Sequence, residues 1–222
     1  MMMNLFSIFD PSTSLMFSLN WLSILMIFFM FPYQFWLIPS RYIMVWNLLM
    51  NFLFKEFKIL INYSYSNLII FLSLFSLIII SNLMGLFPYI FTISSQLSFC
   101  LSLSLTLWIS MILYSMFNYL NELFAHLTPQ GTPFILMPFM VIIESISLMI
   151  RPFTLAIRLT ANMIAGHLLL SLLGSSGEII NNKLIFMIMI FSQFLLLILE
   201  ISVSIIQAYV FSILSTLYSS EI

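Results

Sequence analysis

The chain has very few charged residues for its length. Lysine and arginine together number 6, and aspartate and glutamate number 7, so charged residues make up 6% of the 222 positions. Soluble domains carry about 25% charged residues. Hydrophobic residues make up 63% of this chain, which is more than a fold of this length can hide from water. The sequence therefore excludes a soluble domain and predicts a membrane protein.

Cysteine, histidine and glycine are also scarce, with 1, 2 and 5 copies. The lone Cys100 excludes an intrachain disulfide and a thiolate metal cluster. His126 and His167 lie in different segments, which disfavours a haem held within the chain. The sequence has no glycine-rich phosphate-binding motif, so any nucleotide chemistry must occur on partner chains. A net charge of −1 without a basic stripe argues against nucleic acid. We therefore expect no cofactor and no metal.

Apolar runs organise the sequence as one membrane domain over residues 1–222. The predicted parts are a first span in 1–35, an interfacial segment in 36–66, a two-span hairpin in 67–118 and a hairpin of two long helices in 134–218. Each long helix would measure roughly 50–60 Å, against a hydrocarbon core of about 30 Å. We therefore predict an all-α polytopic fold, with upright transmembrane helices and a C-terminal hairpin of two strongly tilted helices.

Half of the basic residues fall in the interfacial segment, at Arg41, Lys55 and Lys58. Connections rich in lysine and arginine stay on the side of the membrane where the protein is made. Trp36 and Trp46 suit a segment that lies at the membrane surface. We therefore expect residues 36–66 to lie on the side of synthesis.

Ionisable residues inside apolar segments are concentrated in the last two runs. They are Glu144, Arg151, Arg158, His167 and Glu200. A charged side chain at the centre of a membrane helix costs about 2.5–3.5 kcal/mol or more, so such residues mark functional sites. The first three apolar runs carry none. The long hairpin is therefore the candidate functional region.

Spacing groups these residues along the first long helix. Glu144, Arg151 and Arg158 are each seven residues apart, so they fall nearly on one helix face, and Asn162 lies four residues beyond. Glutamate and histidine can bind and release protons, whereas the arginine guanidinium stays charged. Titratable groups around a fixed arginine indicate a proton path with a barrier. A structural Glu144–Arg151 ion pair is the alternative interpretation of that pair.

The last helix carries a second polar stripe, at Glu200, Ser204 and Gln207, which are spaced as neighbours on one helix face. Alternatives remain here too: Glu200 could be a carboxylate bonded internally, and His167 could serve helix packing. No clustered histidines or carboxylates at ligand spacing favour a metal at either stripe.

Two motifs resemble a known family. The segment Arg158-Leu-Thr-Ala-Asn162-Met-Ile-Ala-Gly166-His167 resembles the signature of subunit a of the F-type ATP synthase membrane sector, in its mitochondrially encoded form. The stretch from Glu200 to Phe211 is similar to the last-helix motif of that family. Residues 144–152 are similar to the lead-in of the signature, and 81–90 to the end of an early span.

The resemblance implies roles for single residues. Arg158 would be the essential stator charge that faces a carboxylate on the rotor ring, and His167 and Glu200 would belong to an inlet half-channel. Glu144 would belong to an outlet half-channel on the matrix side. The remaining path residues are Asn162 and Gln207, as polar neighbours of the arginine, and Arg151, which differs from the uncharged residue of some relatives.

The resemblance also implies a setting. The chain would be a proton-translocating stator subunit of a rotary ATP synthase in the mitochondrial inner membrane, without catalytic chemistry of its own. Its partners would be the rotor ring of small membrane subunits, the peripheral stalk and other stator subunits, the ATPase head and the lipid bilayer. The N-terminus would face the intermembrane space and the C-terminus the matrix. The alternative class is a polytopic subunit of a respiratory redox complex or a secondary transporter.

Overall fold

The computed structural model is helical wherever it describes the chain in regular structure. It describes residues 5–13, 17–61, 65–128, 131–177 and 182–221, except for the side chains of Leu5, Tyr65 and Glu221. The α-helices are α1 (Ser23–Met30), α2 (Arg41–Leu60), α3 (Tyr65–Gly85), α4 (Leu97–Asn118), α5 (Leu120–His126), α6 (Met137–Gly177) and α7 (Lys183–Glu221). No strand occurs within these ranges. The all-α prediction is therefore confirmed.

Helices α3 and α4 lie in the region predicted to hold two spans, and they pack against different long helices, α3 against α7 and α4 against α6. They have 21 and 22 residues, which correspond to roughly 32 Å of helix and match the hydrocarbon core. Their serines cost little in an apolar setting because each hydroxyl can bond to its own helix. Ser81 Oγ, for example, donates to the carbonyl of Ile78 at 2.9 Å. Helix α3 is the most enclosed of the long helices, packed between α1, α2 and α7.

Helices α6 and α7 confirm the prediction of two long helices. They have 41 and 39 residues, and neither folds back on itself. Each is roughly 60 Å long, so each must tilt strongly to keep its apolar surface within a bilayer core of about 30 Å. Pro152 lies inside α6, where it removes one backbone hydrogen bond. Residues 178–181, between the two helices, lie outside the described ranges.

The first apolar run is less helical than a single upright span. A 3₁₀ turn at Leu19–Leu22 has 4 residues and leads into α1, which has 8, so together they give about 20 Å of helix. Phe31 adopts an extended conformation (φ −66°, ψ 130°), because the following Pro32 disfavours helical geometry. Within the described ranges, four helices, which do not include α1, are long and apolar enough to cross a membrane.

Helix α2 is amphipathic. Leu53 and Phe57 are buried against α3 and α7, whereas Lys55 and Lys58 are exposed. Its first turn is capped by Ser40, whose hydroxyl accepts from the backbone N–H of Ile43 at 3.4 Å. This distribution suits the predicted interfacial segment, because one face packs on the protein and the basic residues reach solvent or lipid headgroups.

Candidate functional site

Arg158 lies on the outward face of α6. Its neighbours Leu155, Ala156 and Leu159 are buried against the rest of the molecule, so helical geometry turns Arg158 away from it. Within the described residues, the Arg158 guanidinium has no ion-pair partner. Ala161 is also exposed on this face and would allow a neighbouring helix to approach closely. The arrangement presents a fixed positive charge to whatever packs outside α6.

An amide pair joins the two long helices one turn from Arg158. The Asn162 Nδ2 group donates to Gln207 Oε1 at 3.1 Å. Gln207 is buried, whereas Asn162 lies on the exposed side of α6. The bond fixes how α6 and α7 face each other beside the arginine. The structure therefore brings these two predicted residues together.

Glu200 lies on the inner face of α7 and packs against Gly166 of α6. Its side chain is 7% exposed, and neither carboxylate oxygen has a hydrogen-bond partner among the described protein groups. A Cβ atom added to Gly166 would lie 3.0 Å from Cδ and from Oε1 of Glu200. Glycine at 166 is therefore what allows the carboxylate to lie against α6, next to His167 in the chain.

His167 faces the C-terminal end of α3. Its imidazole interacts with the backbone of Gly85, and its Nε2 atom is buried without a protein partner among the described residues. The ring of Phe9 meets it edge-on, with centroids 6.5 Å apart and an interplanar angle of 83°. His167 and Glu200, which are predicted to act together, therefore lie in one region between α3, α6 and α7.

Asn82 belongs to this region, although no role was predicted for it from the sequence. It is fully buried in α3, and its Nδ2 group donates to the backbone carbonyl of Ser204 at 3.4 Å. The signal that could have found it is a carboxamide far inside an apolar span, since such residues are rare in lipid-facing positions.

Unpartnered polar atoms are concentrated around these side chains. Among the described residues, the buried side-chain atoms without a protein partner are Asn82 Oδ1, Ser94 Oγ, His167 Nε2 and both carboxylate oxygens of Glu200. Buried polar groups in native proteins bond to protein or to water. This region is therefore suited to hold water.

Glu144 and Arg151 lie on the other side of Arg158 along α6. Arg151 Nη2 is 3.8 Å from Glu144 Oε1, and both side chains are partly exposed. The Arg151 guanidinium also lies over the ring of Tyr218 in α7, 4.9 Å from its centroid. Glu144 is about 21 Å before Arg158 along the helix, and His167 about 13 Å after it. The titratable groups thus flank the arginine on both sides.

This arrangement defines a class of protein. Titratable residues on two long membrane helices, divided by an arginine that cannot release its proton, are typical of a multi-pass membrane protein that moves protons. The part of the chain that the structure describes has no group of three or more histidine, cysteine or acidic residues placed to hold a metal ion.

Comparison with known proteins identifies the family. The ATP synthase A chain family matches residues 14–220. The chain is 57% identical over 224 residues to ATP synthase subunit a of Drosophila melanogaster, with both chains fully covered. It is 55% identical over 225 residues to that of Anopheles gambiae and 52% to that of Aedes aegypti, again over 100% of each chain.

The chain therefore belongs to the ATP synthase subunit a family, the proton-translocating stator subunits of the F-type ATP synthase. The resemblance found in the two sequence motifs is confirmed over nearly the whole length. The alternatives of a redox-complex subunit and a secondary transporter are thereby set aside.

Proposed function

We propose that this chain passes protons to and from a rotor-ring carboxylate through two half-channels that Arg158 keeps apart. The observation that carries the proposal is the position of Arg158. It is exposed on α6 without an ion-pair partner among the described residues, and titratable groups lie on either side of it. An unpaired charge inside a membrane is costly, so a partner carboxylate outside this chain would stabilise it.

The inlet half-channel would run past His167 and Glu200 from the intermembrane space. Both side chains can exchange protons, and both present buried polar atoms without a protein partner among the described residues. Asn82 would line the same path, because its free carbonyl oxygen can accept a hydrogen bond from water. Water bridging these groups would deliver protons toward the rotor carboxylate.

Arg158 would act as the barrier between the half-channels. Its guanidinium attracts a deprotonated rotor carboxylate and repels a proton that would cross directly. The Asn162–Gln207 bond would hold the helix pair in register beside it. Each elementary charge that crosses the membrane supplies about 2.3 kcal/mol per 100 mV, which rotation can use.

The outlet half-channel would open to the matrix near Glu144. Its carboxylate is partly exposed, which suits a group that releases protons to water. Arg151 would hold this carboxylate in place through their ion pair and would tie α6 to α7 through Tyr218. Nucleotide chemistry would occur on the ATPase head. This chain would be connected to the head through the rotor ring, the peripheral stalk and other stator subunits.

Contacts at the two ends of the molecule support the orientation proposed in the mitochondrial inner membrane. Phe9 lies against His167. The ring centroids of Trp21 and Phe91 are 6.0 Å apart, and Phe91 lies just beyond the end of α3. Helix α2 lies toward the other end, where Glu56 accepts a hydrogen bond from Tyr209. With the basic α2 in the matrix, the N-terminal segment would face the intermembrane space.

The test is proton pumping driven by ATP hydrolysis in inner-membrane vesicles that contain the assembled ATP synthase. Arg158→Gln keeps a polar side chain of similar length but removes the charge, so we expect pumping and ATP synthesis to be abolished. Lys183→Gln is the matched control, because it removes an exposed positive charge from the start of α7. Synthesis close to normal in Arg158→Gln, with the complex assembled, would overturn the proposal.

A further inference from the structure

The N-terminal turn (Leu5–Phe9) covers one side of His167. Phe6, Ser7 and Ile8 are exposed, whereas Phe9 is half-buried. The Phe9 ring packs against the His167 imidazole in the edge-to-face geometry that aromatic pairs prefer. The N-terminal turn therefore packs on the rest of the molecule through Phe9, the residue that contacts His167.

Two amide side chains fix the turn in this position. Gln96 Nε2 donates to the backbone carbonyl of Phe9 at 2.6 Å, across 87 positions in sequence. Asn20 Nδ2 donates to the carbonyl of the next residue, Asp10, at 3.1 Å. Consecutive carbonyls are thus held by separate parts of the chain, which keeps the Phe9 ring against the imidazole.

The contact also restricts how His167 can turn and how it can be reached. The imidazole interacts with the backbone of Gly85 and with the Phe9 ring, while its Nε2 atom has no protein partner among the described residues. A proton can pass to such a nitrogen along a chain of hydrogen bonds, whereas a hydrated ion needs an open passage. A bulky ring held at this point therefore allows proton transfer to His167 but hinders the passage of a hydrated ion.

We propose that the N-terminal turn is a lid on the inlet half-channel, in which Phe9 and Gln96 are positioning residues for His167. The lid keeps the imidazole in one orientation and narrows the approach to it from the intermembrane side. This inference rests on the proposed inlet function of His167, and measurement of thiol access to position 167 separates the two.

Access is measured with a single thiol at position 167. The complex carries Cys100→Ser, which preserves the hydrogen bond to the Ser94 carbonyl, together with His167→Cys. A membrane-impermeant thiol reagent is added from the intermembrane side or from the matrix side, and labelling of this chain is followed by mass spectrometry. We expect slow labelling from the intermembrane side, and we expect Phe9→Ala to accelerate it several-fold, because this change removes the ring that covers position 167.

Matched variants separate the lid from general damage. Phe6→Ala removes an exposed ring from the same turn and should leave the labelling rate unchanged. Gln96→Leu removes the bond to the Phe9 carbonyl without altering the ring, so it should accelerate labelling even if Phe9→Ala fails to assemble. With His167 intact, Phe9→Ala should slow proton pumping several-fold, and Phe9→Tyr should restore it.

The outcomes distinguish the two proposals. If the introduced thiol reacts from the intermembrane side at the same rate with and without Phe9→Ala and Gln96→Leu, the lid is wrong and the inlet stands. If that thiol reacts from the matrix side alone, or from neither side in any background, the proposed inlet itself is wrong. Acceleration in both lid variants, with no change in Phe6→Ala, supports the lid.

Discussion

Gly166 and Glu200 are in close contact between the two long helices at the candidate site. The carboxylate of Glu200 occupies the space that a side chain at 166 would need. Gly174, about two turns later on α6, is not so constrained, because an added Cβ atom would lie 3.9 Å from Gln193 Nε2, an ordinary contact distance. A side chain at 166 would therefore displace a neighbouring group, whereas a methyl group at 174 would fit without movement.

We predict that Gly166→Ala reduces proton pumping by roughly tenfold while the complex still assembles. The added methyl group would displace the end of the Glu200 side chain, and small misplacements of a reacting group cost large factors in rate. Pumping per assembled complex is the measurement, and Gly174→Ala is the control that should behave as the parent. Equal activity of the two variants would show that the position of the Glu200 carboxylate is unimportant.

The residues on the long helices could be found from sequence, whereas their partners could not. Arg158, His167 and Glu200 are conspicuous because each is an ionisable side chain in an apolar run. Asn82 carries no charge, and its contact with Ser204 depends on how α3 packs against α7. Helix periodicity describes one helix face at a time, so a contact between distant segments does not follow from it.

At the scale of helices, Arg151 links α6 to α7. It lies 3.8 Å from Glu144 on its own helix and 4.9 Å from the centre of the Tyr218 ring on the other. Sequence spacing predicted that Glu144 and Arg151 would share a face, but it gave no indication of the contact with Tyr218. An aromatic face is a good partner for a guanidinium in an environment with little water.

We predict that Tyr218→Leu lowers the stability of the assembled subunit by about 1–2 kcal/mol, because it removes the ring beneath Arg151. Tyr218→Phe keeps the aromatic face and should be close to neutral. Thermal unfolding of the detergent-solubilised complex is the measurement. If the phenylalanine variant is destabilised as much as the leucine variant, the hydroxyl group rather than the ring would be the important feature.

The first apolar run shows a limit of predicting membrane helices from composition. Sequence predicts one span within 1–35, yet α1 covers Ser23–Met30 and residues 14–16 lie outside the described ranges. Apolar composition tells where a segment can meet lipid, but it does not tell how far one run of helical hydrogen bonds continues. For the last two runs, length predicts long tilted helices, because the first run has no strong break apart from Pro138 and Pro152 and no turn signal divides the second.

At the scale of the whole molecule, we predict that a C-terminal tag is reached from the matrix. Helix α2 carries the basic residues that favour the matrix, and α7 would end on the same side after a single crossing. The measurement is protease access to the tag in mitochondria with an opened outer membrane, compared with inverted inner-membrane vesicles. Cleavage only in mitochondria with an opened outer membrane would contradict the proposed orientation and the assignment of both half-channels.

The order of segments along the chain has a consequence for biosynthesis. Arg158 and His167 are translated before α7 begins at Lys183, whereas Glu200 and the Ser204 carbonyl come from α7 itself. A nascent chain that stops before α7 therefore lacks one wall of the proposed inlet. We expect such prematurely terminated chains to be harmless to the ion gradient. A raised proton leak in mitochondria that accumulate a product ending at residue 182 would contradict this expectation.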